Sequence, residues 1–464
     1  MPIGAPGCPE LAFCTASMAK ARIAPVTSLN FGGVILGNGQ GLVLANQSAT
    51  LSVLQNEFDP ELLDIGYSFG GGAVTNVTNN ITGGKLGGII EFRDGLLKTT
   101  MDQLGRVAVG LSEAFNAQHR LGLGQGNTLG GDFFTDLGST TAVASRLNNP
   151  ATNITLTGDV TDVGALKASD YRIDFDGTLY TVVRLSDNAV VSSNASATVD
   201  LTATEGFSIT ATLPIPTAPV NGDSFLLRFT ANAARDAGVQ VTQTTQLALA
   251  APLRSSAAVT NLGSGAITPG DVSNTTNLPL AAPITLTFNP NALGVGIPGF
   301  TVAGGPGGTL AYNPATESAG KTFTFAGYGG FTFRVAGVPV NGDQFVVANN
   351  TSGFGDNRNA LKLLNFQSAP TLVGGAAGPT ASFQGAYSQL VAEVGSRTRQ
   401  ADIDQQAQQS LLNQATEAQS NIAGVNLDEE AANLVRFQQA YQASAQLVSA
   451  AQTIFDTLLS VMRR

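Results

Sequence analysis

The stretch from Leu427 to Met462 repeats apolar residues every seven positions. Leu434, Tyr441, Val448, Phe455 and Met462 form one line, and Phe437, Ser444, Ala451 and Leu458 fill the alternate one. A heptad pattern sustained over about four repeats folds as a long helix with a narrow seam, and the seam needs a second surface to cover it. Asn426 or Asp428 can cap its start, Glu429 and Glu430 suit the positive end of its dipole, and Arg463 and Arg464 suit the negative end. A long Gln- and Ala-rich helical pattern precedes it from about Gln384 to Ile422, and a short one, NRNALKLLNFQ, occupies Asn357 to Gln367.

A further helical face is written far upstream. Between about Leu86 and Leu121, the residues Leu97, Met101, Leu104, Ala108, Leu111 and Phe115 follow one another at steps of three and four, which places them on one side of a helix. GLGQGNTLGGD (Gly122–Asp132) stops it with turn formers. Helices distant in sequence must pair to bury such stripes.

The sequence between these helices has another period. From about Gly138 to Gly353, Thr, Val, Ala, Gly and Pro dominate. YRIDFDGTLYTVVRL (Tyr171–Leu185) and KTFTFAGYGGFTFRV (Lys321–Val335) alternate apolar and polar residues about a turn, as hairpins with one buried face do. PVNGDSF (Pro219–Phe225) recurs as PVNGDQF (Pro339–Phe345), each copy followed by an apolar pair, and YRIDF upstream of the first parallels ITLTF (Ile284–Phe288) upstream of the second. This predicts two β domains of one build, split near residue 250, with Phe225 and Phe345 on equivalent strands. Ahead of the first helix, Phe31 to about Gly84 is strand-and-turn material. VILGNGQGLVLAN (Val34–Asn46) reads as a hairpin and FDPELL (Phe58–Leu63) as a turn.

The fold class is therefore α+β and multidomain. Helical rod or coiled-coil segments come from both sides of an insertion of two mainly-β domains. The expected division is an N-terminal segment (1–30), a first rod part of hairpin plus long helix (31–137), β domains at 138–250 and 251–354, a second, helical rod part (355–423) and the C-terminal helix (424–464).

Composition narrows the function. Of 464 residues only 12% are charged, against roughly 25% in ordinary soluble proteins. The net charge is −10, so the basic footprint of a nucleic-acid binder is missing. No apolar run reaches the roughly 18 residues of a membrane span. Cys8 and Cys14 are the only cysteines, too few for a disulfide framework. The start has neither the basic nor the apolar region of a secretory signal, and Phe13 is too bulky for a lipoprotein cleavage site at LAFC (Leu11–Cys14).

The chemical motifs are thin. LGNGQG (Leu36–Gly41) lacks the Lys-Ser/Thr of a phosphate loop, and DFDG (Asp174–Gly177) lacks the later ligands of a calcium loop. Both read as turns, as do the two Asn-Gly-Asp sites. His119 is the only histidine, whereas zinc sites draw on several His or Cys. Composition alone permits a Ser-His-Asp triad, but no nucleophile elbow is read from the chain. No catalytic, metal-binding or cofactor-binding residue is assigned. The terminal seam is read as an assembly surface: Leu434, Phe437, Tyr441, Val448, Phe455, Leu458 and Met462.

GVNLDEEAANLVRFQQAYQASAQLVSAAQTIFDTLLSVM (Gly424–Met462) resembles the C-terminal helix of bacterial flagellar axial proteins. GGIIEFRDGLLKTTMDQLGRVAVGLSEAFNAQHRLGLG (Gly87–Gly124), GGDFF (Gly130–Phe134), GNGQGLVLAN (Gly37–Asn46) and GDNRNALKLLNFQ (Gly355–Gln367) narrow the likeness to the flagellar hook-associated protein 1 family, over roughly Phe31 to Met462. The resemblance implies a structural subunit at the hook–filament junction, exported through the flagellar type III channel and extracellular. It implies as partners the hook protein, the second junction protein, an export chaperone that binds the terminal region, and further copies in a ring. Terminal helices would pair in the core of the tube with β domains facing outward. The family opens with a helical segment and a turn of the type NIANxxTPGY, which residues 1–30 do not match, so the chain is expected to lack that segment. Two other readings compete: a secreted β-rich adhesin or binding module, which the long helices do not suggest, and another axial protein of the same family, against which the helix from Phe92 to His119 argues.

Overall fold

A computed structural model describes residues 34–35, 39–44, 47–212, 219–351, 353, 355–375, 378–423 and 427–463. Segment 1–30 with both cysteines, the Asn426 cap and Arg464 lie outside the described residues. The chain divides into two units, 1–394 and 395–464.

In the first unit, β1 (Val34–Ile35), β2 (Gly41–Leu44) and β3 (Gln47–Ser48) form one small antiparallel sheet, and β4 (Thr50–Gln55), β5 (Leu63–Ser68) and β6 (Thr75–Asn76) another. FDPELL makes the β4–β5 turn, in which the Leu62 N–H donates to Asp59 O and the Asn56 side-chain oxygen accepts from Phe58 and Asp59 N–H. Then α1 (Gly84–Glu91) runs through a π-helical turn (Phe92–Leu97) into α2 (Lys98–Arg120).

The buried face of α2 is not its apolar one. Met101, Leu104, Ala108, Leu111 and Phe115 are only half-buried and Leu97 is exposed, while Asp102, Gly105, Val109, Ser112, Asn116 and His119 are buried. These also fall at steps of three and four, so they form a second helical face. It is buried because each member has a specific partner. A Cβ on Gly105 would lie 1.8 Å from Thr230 O, so only glycine allows the backbones to approach this closely. Asn116 Oδ1 accepts from Phe133 N and Phe134 N, both at 2.9 Å. Lys98 Nζ donates to Asp102 Oδ2 at 3.0 Å and to Asp170 Oδ2 at 2.5 Å, and Thr230 Oγ1 donates to Asp102 Oδ1 at 3.0 Å. Arg228 Nη1 reaches Asp59 Oδ2 at 2.7 Å. Burial and the neighbouring Asp170 push the Asp102 carboxyl above its usual range. Burial alone would lower the Lys98 ammonium, but the two carboxylates outweigh it and raise it.

The first β domain pairs β7 (Ser139–Thr141), β8 (Val143–Ala144), β9 (Thr155–Val160), β10 (Tyr171–Phe175), β11 (Tyr180–Arg184), β12 (Ala189–Asn194), β13 (Val199–Leu201), β14 (Phe207–Thr212) and β15 (Ser224–Leu227) into sheets of order β8-β15-β10-β11-β12 and β13-β14-β9-β7. The second uses β16 (Leu253–Ala257), β17 (Ala266–Ile267), β18 (Ile284–Asn289), β19 (Gly299–Ala303), β20 (Thr309–Ala311), β21 (Lys321–Phe325), β22 (Phe331–Ala336) and β23 (Gln344–Asn349), in sheets of order β16-β23-β18-β19-β20 and β21-β22-β17. Strand for strand, with β7 as the one addition, the order is the same. The register agrees too: Ile173 faces Phe225 as Leu286 faces Phe345, and Ala144 and Ala257 face the same two phenylalanines from the other side. Each domain has its own aromatic core, around Tyr171, Phe207 and Phe225 in the first and Phe300, Phe331 and Phe345 in the second.

The repeated Asn-Gly-Asp explains itself at this level. Gly222 (φ 95°) and Gly342 (φ 93°) take the left-handed conformation that glycine adopts without strain. The aspartate then turns inward. Asp223 accepts from Val220 N (2.8 Å) and Asn149 N (2.9 Å), and Asp343 accepts from Val340 N (3.0 Å) and Leu262 N (2.9 Å). An asparagine beside each, Asn148 or Asn261, bonds both backbone groups of the residue after the aspartate.

After the β domains, α3 (Arg358–Asn365), the hairpin β24 (Leu372–Gly375) and β25 (Gly378–Ala381), and the start of α4 (Phe383–Ala423) return to α2. Leu372, Phe383 and Ala386 pack there against Val107, Leu111, Ala114 and Phe366, so helices from both sides of the β insertion do meet. The second unit holds the rest of α4 and α5 (Leu427–Met462).

Candidate assembly surface

α5 is helical throughout the predicted heptad segment, and Asp428, Glu429 and Glu430 occupy its first turn, where the dipole favours acids. The seven seam residues, Leu434, Phe437, Tyr441, Val448, Phe455, Leu458 and Met462, all lie exposed, from 57% (Val448, Leu458) to 84% (Met462). Between Arg436 and Asp456 the helix carries no charge. A second line of exposed apolar residues, Leu447, Ile454 and Val461, appears only in its C-terminal half and widens the apolar sector there. A sector this wide is more than one narrow seam requires. Contiguous apolar exposure on this scale is uncommon on a monomeric protein.

The first unit exposes apolar surface of its own. Leu86, Ile89, Phe92 and Leu97 are exposed along α1 and the π turn. The stripe continues into an open groove of about 690 Å³ lined by Leu111, Phe115, Leu249, Leu363, Leu364 and Phe383, with no charged residue in its walls. Sequence reading took Leu97 to Phe115 as a face buried in the subunit. The structure leaves Leu97 exposed and the rest half-buried, with Leu111 packed against Leu372 and Phe383, and the walls of the groove come from elements too far apart in sequence for any local period to mark.

The chemical candidates resolve into structural roles. His119 is 1% exposed, its Nδ1 lies 2.7 Å from Gly131 O, and its Nε2 accepts the Ala248 N–H at 3.0 Å. Both ring nitrogens are thereby used to fix the segment that joins the β domains. Gly66-Tyr67-Ser68-Phe69-Gly70 does spell a nucleophile elbow, contrary to the sequence reading. It is not built as one: Ser68 ends β5, no helix follows, and its hydroxyl donates to Gly72 O at 2.7 Å. Asp176 Oδ1 accepts from Thr178 N and Leu179 N, so DFDG is a turn. Among the described residues no group of three or more His, Cys, Asp or Glu could hold a metal ion, and no helix is long and apolar enough to cross a membrane.

Three stretches of the chain match known families. Residues 25–134 match the helical domain of flagellar hook-associated protein FlgK, 144–229 the D2-like domain of flagellar hook-associated protein 1, and 416–461 the C-terminal family of flagellar basal body rod proteins FlgEFG. The chain is 27% identical over 427 residues to flagellar hook-associated protein 1 of Salmonella typhimurium, covering 92% of this chain and 59% of that protein. To the Escherichia coli protein of the same name it is 26% identical over 429 residues, covering 92% and 58%. It thus spans about three fifths of the length of these curated relatives. The solved flagellar hook junction protein FlgK from Burkholderia pseudomallei superposes with a TM-score of 0.71 at 27% identity, over 84% of this chain and 73% of that one. The likeness to hook-associated protein 1 read from the sequence and the α+β multidomain fold are both borne out.

Proposed function

We propose that this chain, whose likeness to flagellar hook-associated protein 1 extends through sequence and fold, is a structural subunit that joins hook to filament and assembles through its helical termini. The observation that carries the reading is α5, a long helix with an uncharged middle whose whole seam is exposed. Each seam side chain would contribute on the order of 1.5–3 kcal/mol if fully covered. The match of 416–461 to the C-terminal family of rod proteins supports the same use of this segment. The seam residues are proposed to meet further copies in a ring, the hook protein, the second junction protein and, before export, a chaperone. The site of action is the extracellular flagellum, reached through type III export. No catalytic step is assigned, and the chain is proposed to divide into the parts 1–30, 31–137, 138–250, 251–354, 355–423 and 424–464.

The test uses hooks isolated without junction proteins. Wild-type chain is expected to bind their ends, and Phe455→Asp is expected to bind neither hook ends nor the chaperone while its β domains melt unchanged. Equal binding by the variant would end the assembly reading of the seam.

A further inference from the structure

The chain writes Asn-Gly three times, and two of the pairs, Asn221-Gly222 and Asn341-Gly342, fall in the repeated turns. Asn38 of the third lies outside the described residues. Asn-Gly is the pair in which a peptide nitrogen most readily attacks the side chain before it, because glycine has no Cβ to obstruct the approach. The glycine N–H gives up its proton, the nitrogen bonds to the asparagine Cγ, and the side-chain nitrogen leaves as ammonia. The five-membered imide then adds water at either carbonyl and opens to aspartate or to isoaspartate. Only water is consumed.

In both turns the asparagine is exposed, but the attacking nitrogen is engaged. The Gly222 N–H donates to Phe175 O and the Gly342 N–H to Phe288 O, both at 2.9 Å. Each phenylalanine answers: Phe175 N donates to Asp223 O at 2.9 Å and Phe288 N to Asp343 O at 2.8 Å. Across the turn, Asp223 N donates to Val220 O and Asp343 N to Val340 O, both at 3.0 Å. The buried carboxylates hold the Val220 and Val340 N–H groups as well. Phe175 lies on β10 and Phe288 on β18, each the middle strand of a five-stranded sheet. To close the imide, the nitrogen must leave the strand and the Asn-Gly peptide plane must turn towards the side chain. Both steps require the turn to come off the sheet.

We propose that Asn221 and Asn341 are deamidation sites gated by these turns: each converts only while its own β domain is open, and conversion to isoaspartate keeps that turn from re-forming. A reaction confined to the open form proceeds in proportion to the open population. Isoaspartate routes the main chain through the side-chain carboxyl and adds one methylene between the Asn Cα and the Gly nitrogen. The reciprocal pair of bonds to the phenylalanine cannot be made across that longer path. Conversion to ordinary aspartate leaves the path unchanged and sets a second carboxylate two residues from the buried Asp223 or Asp343. Each site thereby keeps a one-way record of the openings of its own domain. The proposal makes no use of α5 or of assembly.

The experiment incubates the full chain in mildly alkaline buffer, folded or in urea, and follows conversion of Asn221 and Asn341 by peptide mass spectrometry. Amide exchange of Gly222 and Gly342 is read in parallel, since the same nitrogen is both nucleophile and reporter. In the folded chain each site is expected to convert at least about tenfold more slowly than in urea, by about the factor that slows exchange of its own glycine. Because the two domains share one build, each is the control for the other. Asp223→Ala is expected to speed Asn221 by about tenfold, or to its rate in urea where the domain does not fold, and to leave Asn341 unchanged; Asp343→Ala should do the reverse. Chains separated with isoaspartate at position 221 are expected to lose protection at Gly222 and keep it at Gly342. Equal rates folded and in urea, conversion faster than the exchange-measured opening allows, an aspartate substitution that speeds both sites or neither, or a protected Gly222 beside isoaspartate would each overturn the proposal.

Discussion

Replacing His119 with Phe tests whether the single histidine is a structural fastener. Phe keeps a ring against Phe133, whose centroid lies 5.5 Å from the imidazole, so the packing loss is small. It removes both polar contacts. Ala248 is fully buried, and its N–H would be left without the Nε2 acceptor, at a cost of about 1–3 kcal/mol. Gly131 is exposed, so its carbonyl can turn to water and adds little. The expected loss is therefore about 1–3 kcal/mol, a sizeable part of the roughly 5–15 kcal/mol of an ordinary domain. The tautomer follows from the partners: a backbone N–H can only donate, so Nε2 is the bare nitrogen and Nδ1 carries the proton. Urea denaturation at neutral pH, with amide exchange read at Ala248, measures both consequences. Exchange at Ala248 is expected to rise more than in the β-domain cores, and His119→Gln, which offers an acceptor and a donor, to recover part of the loss. A His119→Phe chain within about 0.5 kcal/mol of wild type, with Ala248 still protected, would refute the fastener.

Asp223→Ala and Asp343→Ala are expected to destabilise their own β domains to a similar extent, about 2–4 kcal/mol, since each removes a buried carboxylate that accepts several hydrogen bonds. Burial would raise both carboxyls, but those bonds hold them below the usual range. Their contribution is thus complete above the unfolded value of about 3.9 and lost as pH falls below it, so either substitution should flatten the acid limb of a stability–pH curve. Gly105→Ala drives a methyl into the Thr230 carbonyl and should cost about 1–3 kcal/mol or more, whereas Gly88→Ala, which meets open space on α1, should gain about 0.5–1 kcal/mol; thermal melts separate the two. Metal analysis of the purified, chelator-treated chain should find no stoichiometric transition metal.

What was legible in the sequence, and what was not, divides along a physical line. The recurrence of PVNGDxF was enough to predict one strand order for both β domains, because a turn that needs glycine at positive φ and an inward aspartate fixes the strands on either side of it. The heptads of α5 were equally plain. On α2 the period was right, and the apolar face is half-buried rather than fully covered. Hydropathy reports that Leu97 to Phe115 forms an apolar side, but not whether its partner lies in the same subunit. The buried face of α2, which meets Thr230 through Asp102 and Gly105 and the segment 131–135 through Ser112, Asn116 and His119, gives no hydropathy signal. Its partners, Thr230, Phe133, Thr135 and Ala248, lie outside the helix, and only the matching three-and-four spacing of small and polar residues hinted at it. The two faces divide the work of the helix. On α2 the inner face is held by hydrogen bonds, an ion pair and a glycine contact that fix one geometry, while the apolar face is half-buried, with Leu111 packed against Leu372 and Phe383. Directional contacts fix how α2 sits, and so hold its half-open apolar face and the exposed residues of α1 in a set orientation.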